Sequence, residues 1–389
     1  MIARRHRVAL TVTALLAAGA ACRAELLHRD AAPPRTAPAA PGPRPAAGAF
    51  TLLASGGILA DGSVVDRAAF DAGGAGHDFR PMLAGVGPAV ARADLALCRL
   101  DTVLGDGAPG PSGGAPPGAP AELAQALAET GYDGCATASE HTLDGGADGV
   151  RGTLDALDGA GVRHAGSARA EAEARGVTLL RAGRALVAPL SYGNGTDRPF
   201  PPGQPWALNL IDADRIVADA RAARQAGADV VVVLLRWGPR WQEAPDAGQL
   251  DLARRLTAAR AGDRPAVDLI LGGGGRLPQP WEKVGGTWVV YGTGDQIAGR
   301  SADDHRAADP RAGESALARF TFAPPVRPGG RWEVTRAEFV PALYDIDAGR
   351  VVNLDEAIAR GADLEGVRDR IRTAVLARGA AKDGLLMGR

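Results

Sequence analysis

The stretch Asp268-Leu269-Ile270-Leu271-Gly272-Gly273-Gly274-Gly275-Arg276-Leu277-Pro278-Gln279-Pro280 limits what this chain can fold into. It opens as a short apolar run with the boundaries of a buried strand. Four glycines and an arginine then lead into Gln-Pro. A loop at the carboxyl end of a parallel strand is where α/β proteins place their chemistry. Consecutive glycines let a backbone come close to a neighbour, or simply turn. No side chain from Gly272 to Arg276 ligates a metal or moves a proton in neutral water.

The flanking sequence says what surrounds that loop. Residues 229–235 form the clearest buried strand, apolar throughout as in a strand covered on both faces, and end in Arg236-Trp237-Gly238. Residues 50–54, 94–100, 135–139 and 287–291 read as further strands, the first ending in Ser55-Gly56-Gly57 and the last running into Gly292-Thr293-Gly294-Asp295. Helical spacing occurs over 82–92, 120–130, 148–159, 212–226, 248–260 and 354–378. Residues 177–180 and 185–190 predict a hairpin, and 315–342 carry strand patterns. Strands and helices alternate, so the fold class is α/β. The 105–119 segment is a Gly/Pro/Ser loop, and no repeat of fixed period is present.

Composition removes several function classes. Net charge is −1 over 389 residues, which argues against a general nucleic-acid-binding surface. The three cysteines, Cys22, Cys98 and Cys135, form no CxxC pair, which argues against a zinc knuckle. Cys98 and Cys135 sit in strand-like runs and read as small buried hydrophobes, with a disulfide as the alternative outside the cytoplasm. The glycine run is not a P-loop, because no Gly-Lys-Ser/Thr follows, and there is neither a Gly-x-Ser-x-Gly elbow nor a Cys-His dyad. His77, His164 and His305 read as solvated residues in loops or near helix ends.

The amino-terminal segment reads as an export signal over 1–28. Arg4-Arg5-His6-Arg7 precedes an apolar run too short for the ~20 residues of a membrane span. Gly19-Ala20-Ala21-Cys22 resembles a bacterial lipobox, with Gly19 where Leu is usual, so Cys22 is the expected lipidation site. Residues 29–48 are an Ala/Pro-rich tether. The expected organisation is a domain over 49–345 and a helical extension over 346–389. The protein is expected to be exported and anchored to the outer face of the cell membrane.

Five blocks in order carry a family resemblance. They are Ala93-Asp94-Leu95 with Leu100-Asp101-Thr102, Ala138 to Gly146, Leu235-Arg236-Trp237-Gly238, Leu271 to Glu282, and Val290-Tyr291-Gly292-Thr293-Gly294-Asp295. They resemble the "ADL…NLE(T)", "ANNH-x-LD-x-G", "LHWG", "VGHHPHVLQPVE" and "VYSLGN" segments of the CapA family of capsule and poly-γ-glutamate synthesis proteins. The resemblance implies a four-layer αββα metallophosphatase-like sandwich and a role with an anionic envelope polymer or its synthesis machinery.

The departures fall on the family's metal-binding letters. Gly57, Gly273 and Gly274 stand where carboxylate or imidazole ligands are expected, and Arg99, Arg236 and Arg276 replace an Asn and two His. A glycine side chain offers no lone pair and arginine stays protonated. The expectation is therefore a non-catalytic or much-altered member without metal or cofactor. Two readings of the arginines stay open: an anion-accepting cleft for phosphate or polyglutamate carboxylates, or ion pairs with Asp101, Glu140 and Asp295. Two further alternatives are a phosphoesterase-like enzyme holding one divalent ion with Asp101, Glu140, His141 and Asp295, and a structural envelope lipoprotein.

Overall fold

The computed structural model describes residues 48–105, 118–299, 309, 311–327 and 329–388. The export segment with Cys22, the tether up to residue 47, most of the 105–119 loop and His305 lie outside the described residues. No helix among those described is long and apolar enough to cross a membrane.

The chain opens with β1 (Phe50–Leu59), α1 (Gly62–Asp71), α2 (Arg80–Leu83), α3 (Gly87–Val90), β2 (Leu95–Leu100), α4 (Glu122–Thr130), β3 (Gly134–Ala136), α5 (Gly146–Gly159) and β4 (Arg163–Ala165). Then come α6 (Glu171–Ala174), β5 (Leu180–Ala182), β6 (Ala185–Gly193), α7 (Ala213–Gln225), β7 (Val230–Arg236) and α8 (Ala247–Ala258). After the short pair β8 (Arg260–Ala261) and β9 (Arg264–Pro265) come β10 (Leu269–Gly273), β11 (Pro278–Val284), β12 (Thr287–Thr293) and β13 (Asp295–Ala298). The chain closes with β14 (Glu314–Ala323), β15 (Glu333–Asp345), β16 (Arg350–Asn353), α9 (Leu354–Ala359), α10 (Glu365–Leu376) and β17 (Leu385–Met387).

Two sheets result. The first runs β16-β15-β14-β1-β2-β3-β4, with β13 pairing β1 and β17 pairing β15; the second runs β11-β12-β10-β7-β6-β5. Strand β7 shows why they stack. Its seven residues are all buried, and alternate side chains point to opposite faces. Val230, Val232 and Leu234 join Leu52, Leu97, Trp281, Trp288 and Phe320 in the core between the sheets. Val231, Val233 and Leu235 pack instead on Ile216 and Ala220 of α7 and Ala253 and Leu256 of α8. The outer face of the first sheet buries Leu53, Ala96 and Cys98 against Leu83, Leu123, Leu127 and Leu154 of α2, α4 and α5. The layers are helix, sheet, sheet, helix, as expected.

Several local expectations need correction. Strand β1 continues past Ser55-Gly56-Gly57 to Leu59, through bulges against both neighbours. The 82–92 helix is two short helices, broken near Gly85, where a Cβ would come within 2.0 Å of the Val351 carbonyl oxygen of β16. The 354–378 helix is also two, parted at Gly361, whose φ of 95° no continuing helix allows. Leu354, Ile371 and Val375 from this pair are buried in the inter-sheet core. His164 lies on β4 rather than in a loop or at a helix end. Cys98 and Cys135 are register partners on β2 and β3 and are joined as a disulfide, so the small-hydrophobe reading is incomplete. They are also buried, which is all their apolar setting indicates.

Candidate functional site

The parallel strands β1, β2, β7, β10 and β12 direct their carboxyl ends to one region, where open α/β sheets hold ligands. Gly57 is paired in register with Arg99 on one side and Asp295 on the other. Gly273 on the facing sheet is paired with Arg236. Asp101 follows the end of β2, and Glu140 and His141 lie in the turn between β3 and α5. Asp101, Glu140, His141, Arg236, Gly274, Arg276 and Asp295 line one hollow with Leu59.

The hollow is nearly full. Arg99 reaches from the first sheet across to the second, and a Cβ on Gly273 would lie 1.3 Å from its Nη1 and 2.3 Å from its Cζ. A Cβ on Gly57 would meet Asp101 Oδ2 at 2.4 Å, Arg99 Nη2 at 2.7 Å and Asp295 Oδ1 at 2.8 Å. A Cβ on Gly274 would meet Arg236 Cγ at 2.5 Å. The remaining space is about 10 Å³, room for about one water.

Each glycine from 272 to 274 has its own reason. Gly272 lets Trp237 Nε1 and two carbonyls come close, with a Cβ falling 2.2 Å from that nitrogen. Gly273 makes room for Arg99, and Gly274 both for Arg236 and for a φ of 90°. Arg276 (φ 71°) and Trp241 (φ 65°) are the only non-glycine residues with positive φ among those described, and both border this loop. Such strain is characteristic of functional sites.

The arginines pair with the expected carboxylates. Arg99 Nε donates to Asp101 Oδ2 at 3.1 Å, and its Nη2 lies 3.8 Å from Asp295 Oδ1. Arg276 Nη1 donates to Asp295 Oδ2 at 3.1 Å. Arg236 Nη2 pairs with Glu140 Oε1, while its Nη1 donates to Asn194 Oδ1 at 2.8 Å. All three arginines are less than 10% exposed. Anion binding by Arg99, Arg236 and Arg276 inside the hollow therefore has no space: a phosphate or carboxylate group does not fit beside them.

Four further participants complete the site. Arg240 donates to Glu140 Oε1 at 2.7 Å from the solvent side, with 44% of its side chain exposed. Asp144 sits 2.8 Å from His141 Nδ1, and Arg198 lies 3.6 Å beyond it. Asn194 completes the set. Asp144 falls inside one of the five blocks; Arg198, Arg240 and Asn194 come from loops whose course sequence does not predict.

Burial pushes the Glu140 carboxyl up, but the His141 imidazole 3.4 Å away and the charges of Arg236 and Arg240 outweigh that and hold it well below the usual carboxylate range. Burial lowers His141, yet Asp144 and Glu140 outweigh it and raise the imidazole to about 9. His141 is thus a cation at neutral pH. Six cations, Arg99, His141, Arg198, Arg236, Arg240 and Arg276, face four carboxylates, Asp101, Glu140, Asp144 and Asp295.

The resemblance implies divalent ions at these strand ends, and the residues present do not fit them. A guanidinium lies over Gly57 and Gly273, Glu140 is clamped by two arginines, and His141 Nδ1 is engaged with Asp144. No group of three or more His, Cys, Asp or Glu among the described residues is arranged to hold a metal. The one-ion alternative with Asp101, Glu140, His141 and Asp295 meets the same obstacle, since an ion would have to displace Arg99.

Two larger cavities lie outside the hollow. One, about 430 Å³, sits between β4 and β6 and is lined by His164, Ser191, Tyr192 and Asn209, among others. The other, about 650 Å³ and open, adjoins the hollow through Asn194 and Trp237 and runs past Pro239 to Arg255.

Comparison with known proteins gives this arrangement its class. The family model described as Bacterial capsule synthesis protein PGA_cap matches residues 51–300, and the chain belongs to this family. Its fold is the αββα sandwich described above. Two relatives from Mycobacterium tuberculosis, strains CDC 1551 / Oshkosh and ATCC 25618 / H37Rv, are each named "Probable polyglutamine synthesis accessory protein". Both are 31% identical over 179 residues, covering 42% of this chain and 44% of theirs, so the match spans under half of those relatives. Among solved structures, the calcineurin-like phosphoesterase YfkN from Bacillus subtilis aligns with a TM-score of 0.44 and 11% identity, over 83% of this chain and 97% of that one. A 5'-nucleotidase precursor from Thermus thermophilus aligns with a TM-score of 0.43 and 16% identity, over 82% and 59%.

Proposed function

We propose that this protein assists synthesis of an anionic envelope polymer, capsule or poly-γ-glutamate, by holding polymer or a synthesis partner rather than by two-metal hydrolysis. The observation that carries the reading is the guanidinium of Arg99 lying over Gly273, where a ligand side chain would project. With the hollow full, the polymer meets its mouth. Arg240 and Arg198 are the more exposed cations there, backed by His141 and Arg236. The open groove past Trp237 and Pro239 gives an extended chain a track. Export, lipidation at Cys22 and tethering to the outer face of the membrane belong to the same proposal. The Cys98–Cys135 disulfide supports an oxidising compartment.

The test is fluorescence anisotropy with labelled poly-γ-glutamate at two salt concentrations, run beside a phosphomonoester assay with Mn²⁺, Zn²⁺ and Fe²⁺. The reading expects salt-sensitive binding that drops about tenfold in Arg198→Ala/Arg240→Ala, and no metal-dependent turnover. Metal-dependent turnover by the wild type, or polymer binding equal in wild type and double variant, contradicts it.

A further inference from the structure

We infer that Arg99 is a built-in cation that neutralises Asp101 and Asp295 in place of a bound ion, and that Gly57 and Gly273 lack side chains because its guanidinium occupies their side-chain space. The three positions then form one exchange unit, in which a side chain at 57 or 273 and a long cation at 99 exclude each other.

The geometry separates this cause from the usual reasons for glycine. Neither Gly57 nor Gly273 has positive φ, so neither is required by its backbone conformation. Gly274 is different, because its φ of 90° penalises any side chain. At Gly273 the three nearest atoms to a Cβ are Arg99 Nη1, Cζ and Nη2, all from one side chain. At Gly57 they are Arg99 Nη2 and the two carboxylates that Arg99 faces. Arg99 itself is 5% exposed and spans the two sheets, so it cannot swing aside into solvent without opening the hollow.

The fit is also incomplete in a telling way. Arg99 Nη2 and Asp101 Oδ1 are both buried and make no hydrogen bond. Asp101 is 7% exposed and lines the residual space. Asp101 and Asp295, which meet at Gly57 and of which Asp101 keeps one unpartnered oxygen, are a setting for a compact divalent cation once the guanidinium is gone. The inference deepens the proposed function by naming what fills the strand-end position. It does not depend on which polymer the mouth holds, so loss of polymer binding in an Arg240 variant leaves it untouched.

A double-mutant cycle tests it on the full chain. Gly273→Ala, Arg99→Asn and the combination are compared by thermal melting; Asn is short and can still donate to Asp101. Gly273→Ala alone should lower Tm by roughly 3–8 °C, and by no more than about 1 °C in the Arg99→Asn background. In a second arm, Mn²⁺ and Zn²⁺ should raise the Tm of Arg99→Asn saturably and leave that of the wild type unmoved. Equal Gly273→Ala effects in both backgrounds overturn the inference. So does a folded Arg99→Asn whose Tm responds to neither ion, or a wild type that responds as its variant does. If Arg99→Asn fails to fold, Gly273→Ala decides alone: an unchanged Tm overturns the inference, and a drop supports it.

Discussion

Strand β10 has a buried arginine at each end, and the two are used differently. At its amino end, Arg224 pairs with Asp268 and donates from Nη1 and Nη2 to the carbonyl oxygens of Ala228, Asp229 and Pro265, while its Nε makes no hydrogen bond. Asp268 in turn accepts from the Val231 backbone at 2.8 Å, so the pair ties β7, β10 and α7 together. Burial raises the Asp268 carboxyl even with Arg224 beside it. At the carboxyl end, Arg99 fills space left by Gly57 and Gly273, and it leaves Nη2 without a hydrogen bond. Cations there outnumber carboxylates, and Glu140 is held low rather than pushed up. One end is a pin in which Arg224 and, 3.8 Å away, Arg331 face the single carboxylate of Asp268 amid backbone groups. The other is a positive centre beside strained backbone at Trp241 and Arg276, the pattern in which stability is conceded to function.

The contrast can be broken from either end. The largest effect should come from Asp268→Ala, which strands a buried Arg224 and should lower stability by about 3–5 kcal/mol in urea unfolding. A cost under about 1 kcal/mol would remove the pin from the comparison. Next is Gly272→Ala, whose Cβ meets Trp237 Nε1 and the carbonyls of Val290 and Tyr291. It should cost about 2–3 kcal/mol whether position 99 is Arg or Asn, whereas the effect of Gly273→Ala depends on Arg99. Equal dependence of both on Arg99 would blur the distinction.

A third effect is set by pH. His141 is raised to about 9, above its unfolded value near 6.5, so its contribution is fully present below about 6.5 and is lost as pH rises through about 9. Wild-type stability should fall by about 1–3 kcal/mol between pH 6.5 and 9.5, and the His141→Asn variant should show a flatter profile over that window. Identical profiles would mean that His141 is neutral in the folded protein. The smallest expected stability change is for Arg240→Ala, within about 0.5 kcal/mol because the side chain is 44% exposed, although this residue serves the mouth.

Much of the carboxyl end is legible in the amino-acid sequence. The five blocks around Asp101, Glu140, Arg236, Gly273 and Asp295 are local, and their order identifies both fold class and family. What a local pattern cannot show is which groups meet across the two sheets. Arg99 and Gly273 lie on different sheets; the resemblance brings both to one site, but no local pattern shows that the guanidinium lies over the glycine. The same limit applies to Cys98 and Cys135, whose pairing depends on the register of β2 against β3. Arg198 and Arg240 escape a sequence reading because loop paths are set by tertiary packing. The break at Gly361 is a different kind of miss, since a glycine inside a helical pattern is a readable stop. The amino-end pin is half visible: Asp268 opens the defining stretch, but its partner Arg224 lies well upstream on α7.

The most direct measurement is an anomalous-diffraction structure of wild-type crystals soaked in Mn²⁺ and phosphate. The account predicts guanidinium density over Gly273, with no anomalous peak between Asp101 and Asp295. A manganese peak there, with Arg99 turned out of the hollow, would contradict it.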